Sequence, residues 1–260
     1  MNCKPIGFFD SGVGGISVLK TAYKLMPNEN YIYYGDNLNA PYGERSEEEI
    51  KALSLEAGAF LFSKGVKAIV MACNTATSTS VYMMREKYSI PVISMEPAVK
   101  PALSAVKGGR ILVLATPATV SQERYLSLLR NLKAGERVVS VGCSGLVELI
   151  EQGCIDESSV HAYLERKLTH LRDESISAVV LGCTHYAFVE TQIKSYIDKT
   201  YHTDCLMFDG RHGTVRQLQR VLLQNGLECA QGSKGNVSFY SSDESISAQH
   251  FRQLFDGFNG

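Results

Sequence analysis

Two stretches of this chain are near copies of each other, and they limit its fold more than any other feature. Ala68-Ile69-Val70-Met71-Ala72-Cys73-Asn74-Thr75 and Ala178-Val179-Val180-Leu181-Gly182-Cys183-Thr184-His185 each run through apolar residues to a small residue, a cysteine and two polar residues. The runs are short and partly β-branched, as in strands buried on both faces of a parallel sheet. Each cysteine then lies at the carboxyl end of its strand, where open α/β sheets hold ligands. The second copy starts 110 positions after the first (178 against 68), so the chain reads as two related halves, each delivering one thiol.

Two matched thiols suit a particular chemistry. One removes a proton from one face of a carbon and the other donates a proton to the opposite face, which inverts a stereocentre. An ordinary thiol has a pKa of about 8.5, so one thiolate and one thiol form a feasible resting pair near neutrality. A buried cysteine is often only a small hydrophobe, but the matched contexts argue against that for this pair. A thiol redox protein would want a close C-x-x-C pair, which the sequence lacks.

Hydrophobic residues make up 45% of the 260 and charged residues 20%, the balance of a globular enzyme with a sizeable core. A net charge of −1 gives no basic field for nucleic acid or membrane. Seven scattered cysteines read as reduced thiols rather than a disulfide framework or a structural zinc site. The first residues lack a signal-peptide pattern, and no apolar run approaches the roughly 20 residues of a membrane-spanning helix. A cytoplasmic setting is the expectation.

Along the chain, Ile6-Gly7-Phe8-Phe9 predicts a strand ending in Asp10-Ser11-Gly12-Val13-Gly14-Gly15, with a helix from Ile16 to Leu25. A glycine-rich turn before a helix suggests an anion site. Ser17 at the third glycine position fails the dinucleotide fingerprint, and no P-loop ending follows. A carboxylate ligand therefore fits better than a nucleotide. Asp10 beside such a site either caps the helix, binds a substrate ammonium or tunes a thiol. Tyr31 to Asp36 is a second strand, followed by a loop with Pro41-Tyr42-Gly43 at its tip, and Ser46 with Glu49 forms a capping box for a helix to about Lys64. A linker begins at Glu96-Pro97. Ile111 to Thr116 is the second half's counterpart of the Asp10 strand, with a helix to about Leu132. A helix is expected from Glu157 to Arg172, and another from about Phe188. Leu206 to Gly210 is read as a strand and turn returning to the first half. His185, two residues past the second cysteine, either holds that thiol's proton state or meets a substrate carboxylate; Glu151 reads as surface charge on residue type alone.

These motifs together resemble those of the cofactor-independent aspartate/glutamate racemases, the glutamate racemases above all. The marks are Phe9-Asp10-Ser11-Gly12-Val13-Gly14-Gly15, Gly35-Asp36, Pro41-Tyr42-Gly43, Ala72-Cys73-Asn74-Thr75-Ala76, Glu96-Pro97 and Leu181-Gly182-Cys183-Thr184-His185-Tyr186. The resemblance implies two pseudo-symmetric α/β domains with mainly parallel sheets, 1–97 plus 208–260 and 98–207, with the active site in the interdomain cleft. It implies that Cys73 and Cys183 are the two bases, assisted by Asp10, Glu151 and His185, and that Ser11, Pro41, Tyr42, Gly43, Asn74, Thr75 and Thr184 bind substrate. It implies a cytoplasmic homodimer that needs no cofactor, metal, nucleic acid or membrane and interconverts L- and D-glutamate for peptidoglycan. Another substrate such as aspartate, or an acidic-ligand binder without turnover, are the alternatives. Gly210-Arg211-His212-Gly213 departs from the family pattern, with an expected effect on the interdomain hinge or a dimer surface.

Overall fold

The computed structural model describes residues 3–229 and 232–258. Its elements in chain order are β1 (Ile6–Asp10), α1 (Ile16–Leu25), β2 (Tyr31–Gly35), α2 (Glu47–Ser63), β3 (Ala68–Met71), α3 (Asn74–Lys87), β4 (Val92–Ser94), α4 (Val99–Ala105), β5 (Arg110–Ala115), α5 (Pro117–Ser121), α6 (Glu123–Asn131), β6 (Val138–Gly142), α7 (Leu146–Glu151), α8 (Glu157–Leu168), β7 (Ile176–Gly182), α9 (Glu190–Tyr201), β8 (Leu206–Asp209), α10 (Arg211–Gln224), β9 (Val237–Ser241) and α11 (Ala248–Gly257). Two compact units result, 1–96 with 211–260 and 97–210.

The first unit is built on a sheet in the order β4-β3-β1-β2-β9, the second on β6-β5-β7-β8, and the described strand pairs are parallel. Read from the other edge, β8-β7-β5-β6 repeats β4-β3-β1-β2, with β9 added to the first sheet. The register makes the repeat residue-specific. Asp10 pairs with Gly35 as Ala115 pairs with Gly142. Phe9 lies opposite Met71, and Ala115 opposite Gly182. Counting forward one or two residues, Ser11 and Thr116 occupy equivalent places, and so do Cys73 and Cys183.

Both faces of these sheets are covered, which is why the strands carry unbroken apolar runs. In the second unit Leu112, Leu114, Val179 and Leu181 pack one way, against α7, α8 and α9. Ile111, Val113, Ala178 and Val180 pack the other way, with Ala98, Val99 and Tyr125. Two glycines are required by close approach rather than by turn geometry. A Cβ on Gly15 would stand 2.6 Å from the Asp10 Cβ, and one on Gly182 would stand 2.8 Å from the Ala115 Cβ.

Most expected elements occur near their expected places, and the exceptions have local causes. The Ser46–Glu49 capping box forms and α2 starts behind it. The expected helix to Leu132 breaks at Gln122, whose extended backbone ends α5 and caps α6. The helix after Cys183 is preceded by a 3₁₀ turn, Thr184–Val189. β8 does not return to the first sheet: it pairs with β7 from Ala178↔Leu206 to Leu181↔Asp209, in the place β4 holds beside β3. Arg211 opens α10 buried, its guanidinium 5.4 Å from the Phe258 ring centre, so this part of the departure packs inside the first unit. The expectation of seven reduced cysteines is corrected by a Cys3–Cys229 disulfide; Cys73, Cys143, Cys154, Cys183 and Cys205 are free thiols. No helix among the described residues is long and apolar enough to cross a membrane.

Candidate active site

In the first unit, β1 and β3 run side by side and deliver Asp10, Ser11 and Cys73 to one sheet end. Asp10 is fully buried and accepts the Gly12 N–H through Oδ1 at 3.0 Å, which folds the turn back over the strand end. Cys73 is the N-cap of α3, and its Sγ accepts the Ala76 N–H at 3.4 Å. The first amides of a helix lack intrahelical partners and favour negative charge, so this placement suits a thiolate. Ser11 Oγ lies 3.5 Å from the same sulfur. Asn74 and Thr75 follow on the first turn of α3, both buried. Neither Asn74 Oδ1 nor Nδ2 has a hydrogen-bond partner among the described residues. A buried amide in that state costs stability unless something else satisfies it, and a polar ligand does so.

Tyr42 is buried beside Phe9 and donates its hydroxyl to Asp36 Oδ2 at 2.5 Å. Burial, then the Asp36 charge, push its phenol well above the usual tyrosine range. Asp36 also accepts from Asn39 Nδ2 at 3.0 Å, so one carboxylate ties the chain ahead of Pro41 to Tyr42. Pro41 follows a cis peptide at Ala40, and Gly43 is buried next to Tyr42. The sequence reading omitted Asp36 from the site; the signal that could have found it is an acid at a strand end just before the loop.

The second unit arms its thiol differently. The place of Asp10 is taken by Ala115, which has no acid to offer. Instead α7 ends at Glu151, and the turn after β7 carries His185. His185 Nε2 lies 2.6 Å from Glu151 Oε1, and Nδ1 lies 3.9 Å from Cys183 Sγ. His185 is 2% exposed and Thr184 3%, while the Glu151 side chain keeps 27% of its surface. Burial opposes charge on this imidazole, but hydrogen bonds to Cys183 and Glu151 and their charges outweigh it, so its pKa is raised well above the ordinary value. In its protonated form the ring donates Nε2–H to Glu151 and faces the sulfur with Nδ1–H. Glu151, a surface charge by residue type, is therefore the residue that orients His185.

The structure thus gathers Asp10, Ser11, Cys73, Asn74 and Thr75 at one sheet end of the first unit. It gathers Glu151, Cys183, Thr184 and His185 at the corresponding end of the second. Each unit thus places one buried thiol at its sheet end among polar side chains.

A family model for Asp/Glu/Hydantoin racemase matches residues 17–217. A glutamate racemase of Clostridium botulinum is 47% identical over 244 residues, covering 94% of this chain and 93% of the relative. The crystal structure of glutamate racemase from Francisella tularensis in complex with D-glutamate superposes with a TM-score of 0.83 at 30% identity, covering 99% of this chain and 94% of that one. The Escherichia coli glutamate racemase, in complex with L-glutamate and an activator, gives 0.82 at 29% identity, covering 98% and 95%. The fold defines an α/β protein of two repeated sheets, each with a cysteine at the equivalent strand end. The chain belongs to the aspartate/glutamate/hydantoin racemase family.

Proposed function

We propose that this protein is a glutamate racemase, interconverting L- and D-glutamate by cofactor-independent proton transfer at the α-carbon and so supplying D-glutamate for peptidoglycan. The observation that carries the reading is the pair of buried thiols, Cys73 and Cys183, at equivalent register in two repeated sheets. Inversion needs one base on each face of the carbon, and each unit contributes one.

Cys73 takes the α-proton of D-glutamate and Cys183 that of L-glutamate, the opposite sulfur returning a proton in each direction. Asp10 assists Cys73, and Glu151 assists Cys183 through His185. An α-proton next to a carboxylate is very weakly acidic, so the anionic state needs fixed donors in a dry site. The unsatisfied amide of Asn74 and the buried hydroxyls of Thr75, Thr184 and Ser11 are such donors, and Pro41, Tyr42 and Gly43 complete the substrate contacts. The glutamate complexes of the Francisella and Escherichia coli relatives support this substrate.

The reading includes a cytoplasmic homodimer; light scattering on the purified protein reads the assembly, and a monomer contradicts that part. The activity is tested by circular dichroism of L-glutamate, D-glutamate and L-aspartate with enzyme and no added cofactor. Loss of the signal from both glutamate enantiomers is expected. Turnover of aspartate instead moves the substrate assignment, and no turnover of any from folded, reduced protein favours a binder.

A further inference from the structure

The Cys3–Cys229 bond lies outside the catalytic machinery, and its surroundings are organised around it. Cys3 sits just ahead of β1 and is partly exposed; Cys229 follows α10 and is buried. The Cys229 N–H donates to Glu29 Oε1 at 2.8 Å. The other oxygen of Glu29 meets Lys67 Nζ at 2.5 Å, in an ion pair whose side chains are 1% and 6% exposed. Asn30 Nδ2 donates to the Cys3 carbonyl at 2.9 Å, and Asn30 Oδ1 accepts the Asn236 N–H at 2.9 Å. Gly235 N–H reaches the Pro27 carbonyl at 2.8 Å. Cys229, Glu29 and Leu222 also wall an open cavity of about 440 Å³ between the end of α1 and the end of α10. The chain from the end of α10 to Cys229 is thus tied to the body of the unit by this covalent bond and the Cys229–Glu29 hydrogen bond, and Gly235 and Asn236 by hydrogen bonds of their own.

We propose that Cys3 and Cys229 form a redox-governed staple that locks the chain from the end of α10 to Cys229 over the Glu29–Lys67 pair in oxidising conditions and frees it in reducing ones. In the cytoplasmic setting proposed above, a disulfide is characteristically transient or redox-sensing, and the partial exposure of Cys3 gives a small thiol or disulfide an approach. The oxidant is a low-molecular-weight disulfide. The Cys3 thiolate attacks one of its sulfurs, forming a mixed disulfide and releasing one thiolate. The Cys229 thiolate then attacks the Cys3 sulfur and releases the second. The protein loses two electrons and two protons, and the oxidant leaves as two thiols. Reduction by an external dithiol runs the same steps backwards.

The test uses the whole chain, wild type and Cys3→Ser, each equilibrated with oxidised glutathione or with dithiothreitol. Mass spectrometry of the oxidised wild type is expected to recover a Cys3–Cys229 cross-linked peptide. The closed loop is long, so its removal is expected to lower Tm by roughly 5–10 °C. Hydrogen exchange in peptides containing Cys229 and Gly235 is expected to speed up at least tenfold on reduction. Cys3→Ser should behave as reduced wild type in both buffers. Absence of the cross-linked peptide overturns the proposal. So does an equal Tm and exchange response in Cys3→Ser, which would trace the effect to other thiols. Cys229→Ser provides the same comparison where Cys3→Ser does not fold.

Discussion

Glu151 Oε1 and His185 Nε2 stand 2.6 Å apart, on α7 and on the turn after β7, and the opposite ring nitrogen faces Cys183 at 3.9 Å. In the first unit other groups meet the thiol. There Ser11 and the Ala76 amide meet the sulfur directly, and Asp10 lies at the end of the neighbouring strand. The repeat that makes the two units alike in backbone leaves the two thiols with different partners.

His185→Asn is expected to lower kcat by about 10²–10³-fold, the range of a lost proton-transfer assistant. Glu151→Gln keeps the shape and a hydrogen bond and should cost less. Because enantiomers are equal in energy, kcat/KM must fall equally in both directions. The asymmetry shows instead in the α-deuterium isotope effects, which should grow for L-glutamate, the substrate that the proposed mechanism assigns to Cys183. Equal changes for both enantiomers would disconnect His185 from that thiol.

The raised pKa of His185 has a consequence for stability. The folded state holds this proton more tightly than the unfolded chain, so its contribution is complete below the ordinary imidazole value of about 6.5. It is lost as pH rises through the folded-state value, on the alkaline side of neutrality. A profile of Tm against pH should fall more steeply there in the wild type than in His185→Asn.

Gly15→Ala places a methyl 2.6 Å from the Asp10 Cβ and 3.1 Å from the Ala72 Cβ, and no flexible side-chain tip is there to yield. Asp10 must move. Activity should drop at least tenfold, with Tm lower by a few degrees, of the order expected for overpacking. Normal kinetics would mean that the Asp10 position is not critical.

Lys67→Met leaves Glu29 as an uncompensated buried charge, with an expected loss of about 3–5 kcal/mol in denaturant unfolding. Adding Glu29→Gln should recover part of it, since the pair's separate desolvation cost is then removed. Additive losses would show that the two side chains act independently.

Much of this was readable in the sequence because buried parallel strands write themselves as apolar runs. β3 and β7 end just before Cys73 and Cys183, and Ser46 with Glu49 starts α2 as a capping box should. β8 was less readable: an edge strand is short, and its sheet is chosen by pairing with β7 rather than by composition. The Cys3–Cys229 bond joins residues 226 positions apart, and no local pattern reports such a pairing. Asp36 and Glu151 meet Tyr42 and His185 in contacts that only folding creates.

Whether two thiols divide one proton transfer is tested most directly with solvent deuterium. L-Glutamate is turned over in D₂O and stopped early, and proton NMR at the α-carbon is read separately for the two enantiomers. The account predicts D-glutamate carrying deuterium at the α-carbon and recovered L-glutamate still carrying protium, with no product from Cys73→Ala or Cys183→Ala. D-Glutamate that retains the original α-proton, or racemisation that survives in either alanine variant, would contradict it.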